Sequence, residues 1–173
     1  VKPMLKQQID IAKFNENVFS VWDKRLLLLT SGDFSTGKYN CMTVGWGSLG
    51  IIWKMPFVQI FVRPTRYTLT FLEKYPSFTL CTFPDQYKEK LEYLGSVSGR
   101  DVNKITESGL TPISSQIVAA PSFEEADLCL ECEKMYWQDL DPSHFLHPQI
   151  EEKYALKDYH RIYYGLIKGI FQA

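Results

Sequence analysis

The chain has no long hydrophobic run, almost no net charge and only four cysteines, and each shortage removes a class of explanation. Its longest aliphatic stretch lies around Leu26–Leu29 and is flanked by charge. That is far short of the roughly 20 apolar residues a membrane-spanning helix needs. The N-terminal stretch VKPMLKQQIDIAKF has neither the apolar core nor the small-residue cleavage site of a secretory signal, so a cytoplasmic location is expected. A formal net charge of −1 sets up no broad field to attract nucleic acid, although clustered arginines can hide within a neutral total. No internal repeat, low-complexity segment or linker divides the 173 residues, and a single domain spanning 1–173 is expected. The glycines form neither a dinucleotide fingerprint nor a P-loop.

Cys41, Cys81, Cys129 and Cys132 do not resemble a disulfide framework in a chain long enough to build its own core. Cys129-Leu-Glu-Cys132 is formally C-x-x-C, but its context, ADLCLECEKMYW, alternates as a strand does. Residues three apart in a strand point to opposite faces, so the two thiols should diverge rather than form a redox or metal pair. His144 and His147 read as ordinary loop histidines within the aperiodic excursion from Asp139 to Asp158. No metal site is expected.

Aromatic residues, by contrast, are plentiful at 14%, with 11 Phe, 10 Tyr and 4 Trp, a composition that favours strands. Arg25–Thr30, Phe57–Val62, Phe78–Phe83, Cys129–Trp137 and Ile162–Phe171 are short apolar runs bounded by turn residues, as expected of buried strands. Helices are expected between them. Thr70 and Glu73 fit a capping box opening a short helix that ends near Tyr75-Pro76. Asp85 would cap a second, with Tyr87, Leu91 and Leu94 on one face and Gly95 as terminator. Asp101 would cap a third, VNKITES, stopped by Gly109. Strands with centrally inserted helices suggest a mainly β fold, an antiparallel barrel decorated by helices.

Two segments look fitted to an anion. Arg63-Pro-Thr65-Arg66-Tyr67-Thr68 ends an apolar strand, and its guanidinium and hydroxyl groups suit phosphate oxygens. Pro64 holds Arg63 extended, so Arg63 and Thr65 should share one side, and Arg66 and Thr68 likewise if the extended geometry persists. The second segment is Ser98-Gly99-Arg100-Asp101 with Lys104. There Gly99 allows close backbone approach, and Lys104 in a first helical turn opposes the helix dipole unless an anion is bound. Asn40 to Trp53 supplies a possible ring site. Gly45, Gly47 and Gly50 would admit a flat ligand, Asn40 and Thr43 would offer hydrogen bonds, and Trp46 or Trp53 could wall it. The same features also fit a plain strand junction with core tryptophans.

The runs N-C-M-T-V-G-W-G from Asn40, W-K-M-P from Trp53, V-R-P-T-R-Y-T from Val62 and S-G-R-D-V-N-K from Ser98 resemble the flavin reductase-like, FMN-binding split-barrel family, its flavoredoxin-like branch in particular. G-L-T-P at Gly109, L-C-L-E-C, Q-D-L-D-P at Gln138 and D-Y-H-R-I-Y-Y-G at Asp158 extend the likeness along nearly the whole chain. The resemblance implies a six-stranded antiparallel split barrel, a homodimer and FMN near the subunit interface. It also implies electron transfer from NAD(P)H or a redox protein, with an FMN-holding carrier lacking NAD(P)H activity as the alternative. By position, Asn40, Thr43, Val44, Gly45, Trp46 and Gly47 would lie beside the isoalloxazine. Arg63, Thr65, Arg66, Tyr67, Thr68, Ser98, Gly99, Arg100, Asp101 and Lys104 would serve the phosphate and ribityl region. His160 falls where many flavin reductases carry a histidine in D-H-x-x-x-x-G. Here Tyr159 separates it from Asp158, leaving both a functional and a structural role open.

Overall fold

The computed structural model describes residues 6–173, so the first five residues of the N-terminal stretch lie outside it. Strands β1 (Gln7–Ile9), β2 (Leu27–Asp33), β3 (Lys38–Val44), β4 (Gly47–Ile52), β5 (Met55–Val62), β6 (Ser77–Thr82), β9 (Leu128–Asp139) and β10 (Arg161–Gln172) build one antiparallel sheet, while β7 (Pro112–Ile113) and β8 (Ser122–Phe123) pair separately. Among the described residues four α-helices decorate it: α1 (Val18–Asp23), α2 (Tyr67–Lys74), α3 (Lys88–Ser96) and α4 (Lys104–Ser108). The main path runs β3-β2-β6-β9-β10-β5-β4, with β1 added on β10. The sheet curls until Cα atoms of β3 and β5 approach within 8 Å, forming a barrel split beside β3.

The class is therefore the expected one, with eight strands in the sheet instead of six. The five apolar runs correspond to β2, β5, β6, β9 and β10, so β1, β3 and β4 are the strands that sequence reading did not anticipate. β4 is interrupted by glycine and has no fully buried residue, so it carries no long apolar run to betray it. It joins β5 through Trp53 and Lys54, both with positive φ (52° and 60°), the backbone of a two-residue hairpin turn. Trp53 thus stands at a hairpin tip, edge-on to Tyr136.

Register explains why the central strands read as continuous apolar runs. Leu28 pairs with Cys81, and Cys81 with Cys129; the neighbouring row is Leu29, Leu80 and Leu130. The first row faces a core closed by α3, α4 and Phe123, while the second fills the barrel with Val58, Ile60, Val62 and Tyr163. A sheet covered on both faces needs apolar residues at every position, not alternate ones. Cys129 and Cys132 consequently fall in different cores, as strand alternation required, and all four cysteines are buried free thiols.

The helix boundaries differ from expectation. α2 starts at Tyr67, not after Thr70, because the 63–66 turn closes through Arg66 N–H donating to the Arg63 carbonyl at 3.0 Å. Thr70 lies within the helix and donates its hydroxyl to the Tyr67 carbonyl at 2.8 Å. Asp85 opens a 3-10 turn that leads into α3, and Gly95 lies inside α3, which runs on to Ser96. Asn103, not Asp101, caps α4, with its side chain accepting from Thr106 N–H; Gly109 ends that helix at φ 64° as expected.

Candidate functional site

Three elements converge beside the split. The end of β5 turns through residues 63–66 into α2, whose first amides no side chain caps. Such a start leaves donors free at the positive end of the helix dipole. Thr68, in the first turn, is buried and accepts from Asn40 Nδ2 on β3 at 2.8 Å. This bond locks the start of α2 to the outer strand.

The 97–103 loop closes the third side. Gly99 packs against the Asn40 side chain so closely that an added Cβ would run into Oδ1, so only glycine fits there. Arg100 pins the loop to the first turn: its Nη1 donates to the Thr65 carbonyl at 3.2 Å, and its guanidinium lies 5.1 Å over the Tyr67 ring. Arg100 N–H in turn donates to Ser98 Oγ at 3.2 Å. The result is a hollow of about 170 Å³ lined by Asn40, Thr43, Thr65, Arg66, Thr68 and Ser98, together with Tyr67, Gly99, Arg100 and Lys104. Ten of the residues singled out from sequence thus meet in one place.

The others lie elsewhere. Val44 is buried in the barrel core, and Asp101 lines a groove adjoining the hollow. Gly45, Trp46 and Gly47 line a separate cavity of about 1030 Å³ beneath α1. Arg63 leaves the hollow altogether. Its Nη1 bonds Asp158 at 2.6 Å and its Nη2 donates to the Lys153 carbonyl at 2.9 Å, while the guanidinium lies 5.0 Å over the Tyr154 ring. The extended geometry that would have grouped Arg63 with Thr65 ends at the 63–66 turn.

Lys104 has a role not anticipated. It is buried, and its Nζ donates to the carbonyls of Leu94 at 2.7 Å and Val97 at 3.0 Å. The cation that opposes its own helix dipole instead completes the C-terminus of α3. Burial pulls its pKa below the ordinary lysine value.

His160 sits at the start of β10, buried between Trp46, whose ring centroid is 4.8 Å away, and Phe61 at 6.3 Å. Its Nδ1 is 2.8 Å from the Tyr154 hydroxyl. Burial foremost, then the Arg63 cation, with a smaller push from Arg66, lowers its pKa to about 4, against the opposing pull of Asp158. The imidazole is therefore neutral at physiological pH. Tyr159, which interrupts the expected Asp-His pair, turns outward to Glu151 at 2.7 Å. Asp158 holds Arg63, and Tyr154 takes the position beside the imidazole. Sequence reading missed Tyr154 because the 139–158 excursion has no periodicity. It missed the aromatic face of α2, whose signal was the spacing of Tyr67, Phe71 and Tyr75, because the helix start was set too late.

The flavin reductase-like domain model matches residues 24–152, the span that contains the whole hollow. The chain belongs to the flavin reductase-like family. No curated protein sequence matches it significantly. Among solved structures, the FMN-binding domain of a flavin reductase-like enzyme from Shewanella baltica superposes with a TM-score of 0.71 at 16% identity, over 99% of this chain and 78% of that one. Flavoredoxin from Methanosarcina acetivorans gives 0.66 at 25% identity, over 95% and 76%. The 2-nitrobenzoate 2-nitroreductase of Pseudomonas fluorescens gives 0.64 at 16% identity, over 96% and 77%. These structures share the split-barrel fold, and membership in the flavin reductase-like family implies a flavin ligand. No described helix is long and apolar enough to cross a membrane.

Proposed function

We propose that this chain is an FMN-binding oxidoreductase that accepts electrons from NAD(P)H or a redox protein and hands them on. The hollow carries this reading. It combines an exposed guanidinium at Arg66, the uncapped first amides of α2 and the hydroxyls of Thr65 and Ser98, a donor set suited to a phosphate monoester. Beside it, Asn40 and Thr43 offer amide and hydroxyl groups to the remainder of such a ligand. When bound, flavin supplies hydride and single-electron chemistry that no amino-acid side chain provides.

The chain's own residues bind and orient. Arg66 and the α2 amides anchor the anionic end. Trp46 and the neutral His160 form an aromatic face, with His160 within electrostatic reach of Arg66. A neutral imidazole fixed by Tyr154 through Nδ1 leaves Nε2 free to exchange a hydrogen bond without adding charge. We also propose a homodimer with the flavin near its interface, a reading supported by Trp46, which is 47% exposed and leaves the aromatic face open on one side.

Likeness to a flavoredoxin at 25% identity favours a second reading, an electron carrier without NAD(P)H activity. Anaerobic addition of NADH and NADPH to the FMN-loaded protein separates the two. Rapid bleaching of the yellow colour is expected for the oxidoreductase. Colour that resists both nucleotides but yields to dithionite assigns the carrier, and protein that takes up no FMN overturns both.

A further inference from the structure

Strand alternation parts Cys129 from Cys132, but the sheet register gives Cys129 another partner. Cys81 on β6 lies directly opposite it. Just beyond the start of β6, Lys134 N–H donates to the Pro76 carbonyl at 2.8 Å, so residues 76 and 134 form a hydrogen-bonded pair in line with that register. Hydrogen-bonded and non-hydrogen-bonded pairs alternate along antiparallel strands, which makes Ser77–Glu133, Thr79–Glu131 and Cys81–Cys129 the non-hydrogen-bonded ones. Cα atoms of such pairs stand about 4.5 Å apart with their side chains close, inside the roughly 4.4–6.8 Å that a disulfide spans. Both cysteines project into the same core, and their thiols share a hydrogen bond. Cys41 faces that core too, but β2 separates its strand from β6. Two strand spacings are about 10 Å, beyond the reach of a disulfide.

The pair is buried yet not sealed. A cavity of about 280 Å³ is lined by Lys6, Ser122 and Cys129, and the Ser122 hydroxyl lies 3.9 Å from Cys81 Sγ. A small oxidant in that cavity meets Cys129 directly and Cys81 past one hydroxyl. The hydrogen bond from Cys129, helped by Ser122 and the Lys6 cation against burial, lowers the Cys81 pKa, while the same bond raises that of Cys129. Cys81 is thus the sulfur that ionises, and thiolates are the reactive form. We propose that Cys81 and Cys129 are a reversible dithiol that reduces hydrogen peroxide and closes to a cross-strand disulfide. The Cys81 thiolate attacks one peroxide oxygen, the O–O bond breaks, and the departing hydroxide takes up the proton that Cys81 released. Cys81 is then a sulfenic acid. The Cys129 sulfur attacks the Cys81 sulfur, the S–S bond forms, and the S–O bond breaks as the hydroxyl leaves with the Cys129 proton as water. Two thiols lose two electrons, and one peroxide becomes two waters. The dithiol stands apart from the flavin reading of the hollow, which contains neither cysteine.

The test exposes the reduced, folded chain to hydrogen peroxide, then alkylates the remaining thiols in denaturant and counts them by mass spectrometry. The four free thiols should fall to two, and dithiothreitol should restore all four. Cys129 and Cys132 share one tryptic peptide, so the partner is assigned with a Cys41→Ala/Cys132→Ala double variant, in which only Cys81 and Cys129 remain. That variant should lose both thiols together and yield a peptide pair joined through them. Cys81→Ser and Cys129→Ser should each abolish the link, with circular dichroism showing that they fold. Because the double variant keeps both reacting cysteines, its result decides the matter even where a single variant does not fold. Survival of all four thiols, sulfinic or sulfonic acid without a link, or a link through Cys41 or Cys132 overturns the proposal. So does a link that forms only in urea, since it would then belong to the unfolded chain.

Discussion

Arg63 and Arg66 lie three positions apart in one turn, yet their surroundings give them different work. Arg66 is exposed at the start of α2 and lines the hollow, whereas Arg63 is held by Asp158 and Tyr154. Arg66→Ala should therefore weaken FMN binding by about 1.5–3 kcal/mol, the usual worth of a hydrogen bond to a charged group, or roughly 10- to 100-fold in a fluorescence titration. Arg63→Ala should act on His160 instead. Removing the cation that repels its proton should raise the imidazole pKa from about 4, which the histidine resonances would report in an NMR titration. The same depressed value governs stability. The folded imidazole titrates at about 4 against an ordinary 6.5, so the unfolded chain binds the proton more readily, and stability falls as pH drops from 6.5 towards 4. Urea melts of the native chain should show that slope, and His160→Leu should flatten it. At this scale the sequence was legible in residue type and not in partnership. Asp158 is 95 positions from Arg63, and no local rule reaches that far.

At the scale of elements, the site depends on how closely α3 approaches β3. An added Cβ at Gly95 would run into Thr43 Oγ1. Alanine is the better helix former by about 1 kcal/mol, but overpacking at a tight contact typically outweighs that gain at about 1–3 kcal/mol. Gly95→Ala should therefore lower the melting temperature, and adding Thr43→Ala should restore part of the loss. A rise in melting temperature for the single variant would show that the helix can move away without penalty. The positions of β2, β5, β6, β9, β10 and the three central helices were legible from apolar runs and turn residues, while α1, β1, β3 and β4 were not. Element boundaries were not. The start of α2 is set by a turn closed on Arg63, and the end of α3 is completed by Lys104 from the next helix. Both are tertiary arrangements that override a local capping signal such as Thr70-x-x-Glu73.

For the whole molecule, one buried carboxyl group ties an irregular segment to the sheet. Glu131 on β9 is almost fully buried and accepts from the backbone N–H groups of Gln116 at 2.9 Å, Ile117 at 2.6 Å and Val118 at 3.2 Å. Glu131→Ala would strand those donors and should destabilise the fold by on the order of 3 kcal/mol in chemical denaturation, with Glu131→Gln milder. Nothing in the run L-C-L-E-C announces this, because a glutamate in a strand ordinarily faces water. The fold class, in contrast, was legible throughout: doubly covered strands must be apolar at every position, and five such runs with central helices leave few alternatives. The hollow was legible in part. Most of its lining residues cluster in two short segments, while the Trp46–His160 pair, which lies outside it, is assembled from strands far apart in sequence. The central claim is that the hollow holds FMN through Arg66 and the start of α2. Titration of FMN into the native chain and the Arg66→Ala variant, followed by flavin fluorescence, tests it most directly. The account expects saturable binding of one FMN per chain and a 10- to 100-fold weaker Kd in the variant, from about 1.5–3 kcal/mol. Saturation with equal affinity in both chains, or none in either, would contradict it.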